Sequence, residues 1–241
     1  MAWPKTIAAL IALAASLIMQ AGAFAESINA GGRAANPTRP FTARAVAEFD
    51  TPWAIAFLPD GRMLVTEKPG RIFLVTPAGQ KSELGNVPAV AASGQNGLLD
   101  IAIAPDFATS SHVYFTYVEP ADGGSRLVLS RANLSETNGR AMLADRSVIW
   151  RQTPGGGGGQ PGGIIAFDPQ GTHLFLTVGD RMQSTSAQDP DQARGKVLRL
   201  NLDGSTPSDN PNATAGGVRA QTWTTGHRNP YGLAFASDGR L

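Results

Sequence analysis

The chain has 241 residues, 42% hydrophobic and 16% charged, and Gly 28 with Pro 17 make nearly a fifth of it. That is too apolar for a disordered polymer and too rich in turn formers for a helical bundle. Lys+Arg 20 against Asp+Glu 19 leaves +1, so there is no basic field for nucleic acid. Cysteine is absent, which removes disulfides, thiolate nucleophiles, Fe–S clusters and cysteine zinc sites, and His112, His173 and His227 have no metal-ligand spacing.

Residues 1–25 read as a secretory signal peptide. Lys5 supplies the positive start, Ile7 to Met19 the apolar stretch, and Ala23-Phe24-Ala25 the small-x-small cleavage pattern. The apolar stretch falls short of the ~20 residues that span a bilayer. Cleavage removes Lys5 and no acid, which leaves a neutral chain with no transmembrane anchor, expected to be secreted into the periplasm. Residues 26–45 are polar and aperiodic and read as a flexible leader.

From Val46 onward short strand-like runs alternate with turns. Trp53 to Phe57 leads into Pro59-Asp60-Gly61, then Met63 to Thr66, Pro69-Gly70 and Arg71 to Val75. Runs of four to six β-formers bounded by turn residues predict meandering antiparallel strands. The unit recurs at Leu99 to Ala104 with Val113 to Tyr117, and at Ile164 to Phe167 with Leu174 to Val178. It opens once more at Tyr231 to Phe235. The turn markers Pro59, Pro105, Pro169 and Ser237 lie 46, 64 and 68 residues apart. Such recurrence predicts an all-β propeller, with long loops at 152–163 and 182–194 absorbing the excess over ~40–45 residues per blade. A β-sandwich with chance Asp-Gly turns is the alternative. Residues 46–241 hold about three blades and the start of a fourth, fewer than the four or more that close a ring. An incomplete ring with bare edges is expected to associate when expressed alone.

Three segments are unusual for purely structural blades. Gln95 stands in Gly94-Gln95-Asn96-Gly97 just before a strand, either as a site residue or as part of a capped turn. Gly226-His227-Arg228-Asn229-Pro230 packs an imidazole, a guanidinium and an amide together. Arg offers a planar five-donor fork for carboxylates and Asn adds a donor and an acceptor; an Arg paired to an acid in a structural loop is the other reading. Asp180 and Arg181 end a strand together, and most simply form an ion pair. Gly155 to Gly159 lacks the continuation of a phosphate-binding loop and reads as a mobile loop.

These blocks, with Ala104-Pro105-Asp106-Phe107, Ala187-Gln188-Asp189 and Gly195-Lys196-Val197-Leu198-Arg199-Leu200-Asn201, occur in an order that resembles the soluble PQQ-dependent glucose/sorbosone (aldose sugar) dehydrogenases. The likeness runs from about Val46 to Leu241. It implies a six-bladed propeller, of which this chain matches the N-terminal half or somewhat more. It also implies oxidation of an aldose at its anomeric carbon, a His taking the hydroxyl proton and hydride passing to pyrroloquinoline quinone (PQQ). The electron acceptor is unspecified. Gln95, Arg228 and Asn229 fall on cofactor-contacting positions. The family's base lies in a Gly-x-His-Phe-Gly-x-Arg segment, where this chain has Gln160 for the His and Ile164 for the Arg. A neutral amide cannot take a proton near pH 7, which puts catalysis in question. Calcium is implied as well, its ligand segments following the Gly-His-Arg-Asn-Pro block, so no metal ligand is assigned. A non-catalytic propeller that binds a sugar or protein partner is the competing reading, and a gene fragment without its own function a third.

Overall fold

The computed structural model describes residue 38 and residues 41–241; the signal peptide expected at 1–25 lies outside the described residues, as does most of the leader. Ala45–Leu241 forms one compact unit. It contains twelve strands in three antiparallel sheets. The first is β1 (Pro52–Phe57), β2 (Met63–Glu67), β3 (Arg71–Val75) and β4 (Lys81–Glu83). The second is β5 (Leu98–Ile103), β6 (His112–Ala121), β7 (Gly124–Thr137) and β8 (Arg140–Arg151). The third is β9 (Gly162–Phe167), β10 (His173–Val178), β11 (Lys196–Asn201) and β12 (Thr222–Thr225). Every sheet is a four-stranded meander in chain order, with β1, β5 and β9 in contact as the inner strands. These are blades of a β-propeller, an incomplete ring of three.

The middle blade explains why its sequence reads as almost continuously apolar. Along β6, Val113, Phe115 and Tyr117 pack toward the first blade, while Tyr114 and Val118 pack toward the third. On β7, Val128 faces the first blade, and Leu127 and Leu129 face the third. Successive side chains on a strand point to opposite faces, so a sheet covered on both sides needs apolar residues at both parities. The first blade packs one face against the second, and residues 48–50 with Val65 and Val75 partly cover the other. Leu64, Ile72 and Leu74 are buried against the second, whereas Ile55 and Phe57 are 51% and 64% exposed.

A repeated buried threonine ties blade to blade. Each inner strand carries a bulge opposite the threonine of its neighbouring strand, between Pro52 and Ile55, Leu98 and Ile101, and Gly162 and Ile165. A bulge leaves backbone groups outside the ladder. The Thr66 hydroxyl accepts the Ala54 N–H at 3.0 Å within its own blade and donates to the Leu99 carbonyl of the next at 2.7 Å. Thr116 accepts from Asp100 at 3.1 Å and donates to Gly163 at 2.6 Å. Thr177 accepts from Ile164 at 2.9 Å and donates to Pro230 at 3.0 Å. All three side chains are fully buried.

Two expectations need correction. Tyr231 to Phe235 forms no strand; Thr177 holds Pro230, and Phe235 packs edge-on against Phe175 at 5.2 Å, without a neighbouring strand to supply a ladder. The Gly155–Gly159 run is not loose. Gly156 exchanges two backbone hydrogen bonds with Ser125, at 2.8 and 3.0 Å. Only glycine allows that approach, because a Cβ there would lie 2.9 Å from Arg181 Cβ.

Replacing Thr116 by Val keeps the shape and removes the hydroxyl, leaving the Asp100 N–H and the Gly163 carbonyl unpaired. The expected loss is about 2–3 kcal/mol in denaturant unfolding, with Thr116→Ser retaining most of it. Equal losses for Val and Ser would show that packing, not the hydrogen bonds, holds the blades.

Candidate active site

The clasped carbonyls fix where the loops between blades arrive. Gln95 lies four residues before Leu99, Gln160 three before Gly163, and Arg228 and Asn229 two and one before Pro230. Because the inner strands run in the same direction, all four residues reach the same end of the blades. Gln95 Oε1 accepts the Gln160 N–H at 2.7 Å, and Asn229 Oδ1 accepts the Gly162 N–H at 3.2 Å. The Arg228 carbonyl accepts the Asp180 N–H at 2.8 Å. The four residues singled out in the sequence thus share one neighbourhood.

A backbone N–H can only donate, so both amides are held with their oxygens turned inward; the Gln95 NH2 is left as a donor, while the Asn229 amide also meets the Tyr231 hydroxyl. Arg228 is exposed, and its guanidinium makes no hydrogen bond or ion pair with a described residue. The structural pairing considered for it is not made. The free polar capacity is therefore mostly donor and carries positive charge, which suits a ligand bearing carboxylates and carbonyls.

Gln160 is buried, with its backbone in the left-handed region at φ +49°. Asp180 is also buried, and its Oδ1 accepts the Met182 N–H at 2.9 Å. The expected Asp180–Arg181 ion pair does not form. A left-handed backbone at Arg181, φ +57°, turns the arginine into the protein, to Asn96 and Ser125. His227 lines a small pocket with Asp180, Ser184 and Arg228, and its Nε2 lies 2.7 Å from Thr224 Oγ1. Burial first, then the Lys196 ammonium, pushes its pKa below the usual imidazole value. Lys196 rather than Arg228 is thus the cation opposing a proton on His227. Lys196 is fully buried and donates to the carbonyls of Ala187 and Arg194 at 2.9 and 2.8 Å, fixing the loop under this pocket.

Asp100, an acid inside an apolar strand run, was visible in the sequence and overlooked. It lines a cleft of about 330 Å³ with Pro52, Trp53, Ala54, Ile164 and Tyr231. Its carboxylate accepts the Ile165 N–H of the next blade at 2.7 Å and the Ile101 N–H at 2.9 Å. Burial outweighs these bonds and raises its pKa from 3.8 to about 6. Among the described residues no three His, Cys, Asp or Glu gather as a metal would need, and no helix is long and apolar enough to cross a membrane.

Meandering four-stranded blades, with a cluster of polar residues at one end of their inner strands, define a β-propeller. Residues 49–241 match the family model described as Glucose / Sorbosone dehydrogenase, and the chain belongs to that family. It is 39% identical over 192 residues to aldose sugar dehydrogenase YliI of Escherichia coli, a match covering 78% of this chain and 51% of that protein. It is 30% identical over 225 residues to quinoprotein glucose dehydrogenase B of Acinetobacter calcoaceticus, covering 81% and 46%. The PQQ-bound aldose sugar dehydrogenase of Streptomyces coelicolor superposes with a TM-score of 0.70 at 33% identity, over 81% of this chain and 57% of that one. The chain spans about half the length of the curated relatives it matches.

The raised pKa of Asp100 has a definite sign. Between pH 3.8 and about 6 the folded state binds the proton more tightly than the unfolded chain, so stability is greatest at low pH and falls as pH rises through about 6. This group alone is expected to cost up to about 3 kcal/mol at pH 7. Unfolding measured from pH 4 to pH 7 should show that decline, flattened in Asp100→Asn; an equal slope in the variant would remove Asp100 as its source.

Proposed function

We propose that this chain forms the PQQ-facing part of a secreted, periplasmic aldose dehydrogenase that oxidises the anomeric carbon of its sugar. The observation that carries this reading is the unpaired Arg228 guanidinium together with the Gln95 amide donor, on loops that meet at one end of the blades. PQQ carries three carboxylates and an ortho-quinone, and those donors fit both. The PQQ-bound Streptomyces relative and the quinoprotein relative support the same cofactor. When bound, PQQ would supply the two-electron oxidant that accepts hydride from the sugar.

The residues of this chain bind and orient. Arg228 would hold a carboxylate or quinone oxygen through a planar fork and oppose negative charge built up on it. Gln95 and Asn229 would add neutral donors from the two adjoining loops. Gln160 stands where the family resemblance puts the base, and its amide cannot take the hydroxyl proton. A non-catalytic propeller that binds a sugar or protein partner is favoured by that one residue. Calcium, implied by the same resemblance, has no ligand cluster among the described residues and enters no step.

Fluorescence titration of the intact protein with PQQ, in the presence of calcium, should show Arg228→Ala binding at least about tenfold more weakly. Arg228→Lys should bind with intermediate affinity, since a point charge replaces a fork. Affinity unchanged by either substitution overturns the cofactor assignment.

Aldose-dependent dye reduction tests the base. The parent protein should turn over slowly, and Gln160→His should raise kcat by about 10²–10⁴. Brisk turnover by the parent that His227→Ala abolishes would move the base to His227.

A further inference from the structure

Arg181 is fully buried, yet among the described residues it forms no ion pair. Its Nη1 donates to Asn96 Oδ1 at 2.9 Å and its Nη2 to Ser125 Oγ at 2.6 Å, while its Nε is buried without a partner. Burial lowers its pKa to about 10. A buried charge without a carboxylate is a poor source of stability, and well-packed apolar groups in its place are often as good or better. What the guanidinium does accomplish is geometric.

Its contacts close a circuit through the candidate site. The Arg181 side chain holds Asn96, which is bonded to Gln95. Gln95 Oε1 holds the Gln160 N–H, and the Gln160 carbonyl accepts the N–H of Arg181 itself at 3.3 Å. The loop entering the second blade, the turn entering the third and the end of β10 are thereby fixed to one another through one residue. Gly156 packs against the Arg181 stem and pairs with Ser125, so the glycine run closes the circuit from outside. The left-handed backbone at both Arg181 and Met182, φ +57° and +63°, is an uncommon conformation for bulky residues. It is the conformation that sends the guanidinium inward.

We propose that Arg181 is a positioning residue: from inside the protein it braces the Gln95 loop against the Gln160 turn and so sets the donor geometry that a ligand meets. The ligand part of this rests on the function proposed above; the brace itself does not. The test uses the intact protein, Arg181→Met, and the double variant Arg181→Met/Asn96→Leu, which replaces the buried polar pair with an apolar one. In the absence of ligand, Arg181→Met should speed amide exchange at Gln160 at least about tenfold while leaving Leu176 and Leu198 in the blade core unchanged. PQQ affinity should fall by a similar factor. The double variant should recover the parent melting temperature without recovering Gln160 protection or PQQ affinity. If exchange at Gln160 is unchanged in Arg181→Met, or returns together with the melting temperature in the double variant, Arg181 is only structural and the proposal fails. Loss of Gln160 protection in variants of a parent that binds no PQQ would uphold the brace and overturn the cofactor reading.

Discussion

Three buried hydroxyls hold this architecture in register. A blade can bury apolar surface against its neighbour in many relative positions, because hydrophobic contact has no direction. The Thr66, Thr116 and Thr177 hydroxyls do have direction. Each accepts a bulge N–H from its own inner strand and donates to a downstream carbonyl, in the bulge of the next inner strand for Thr66 and Thr116 and at Pro230 for Thr177, at distances between 2.6 and 3.1 Å. A buried carbonyl or N–H without a partner is costly, so a slip of one blade by a residue would leave two such groups unpaired. Apolar packing supplies the attraction, and the clasps select one alignment.

The candidate site follows from that alignment. Gln95, Gln160 and Asn229 sit a few residues upstream of the clasped carbonyls, so the clasps bring their loops within hydrogen-bond reach. The loops then complete each other. One amide oxygen satisfies a turn in the next blade and another satisfies the start of β9, which leaves the Gln95 NH2 and a free guanidinium as the exposed chemistry. Electrostatic character at this surface is thus set by which backbone groups were already in need of partners.

Most of the fold was legible because blades are local. Runs such as Arg71 to Val75 and Leu174 to Val178 are bounded by their own turns, and their strand limits agree with the structure to within about a residue. The long β7 and β8 were harder to see, since Gly124 to Arg151 mixes charged and apolar residues, although Asn138-Gly139 marks the hairpin turn between them. Gln95, Arg228 and Asn229 were legible as odd residues between glycines, Gln95 at the entry to β5. Arg181 was misread because adjacency in sequence to Asp180 suggested a pair, whereas its backbone conformation turns the two apart. Asn96 and Ser125, its real partners, lie 85 and 56 residues away, a separation that no local pattern encodes. The threonines stood inside the strand runs already identified. Their role was hidden because an isolated Thr in a strand is ordinary, and only the bulge opposite gives it work.

The clasps also have a polarity along the chain. In every case the hydroxyl that donates lies upstream of the carbonyl that accepts, by 33, 47 and 53 residues. A blade that has emerged from the ribosome therefore already carries the hydroxyl to which the one still being made attaches. Synthesis from the N-terminus and docking around the axis advance in the same order, so a growing chain adds each new sheet to a finished template.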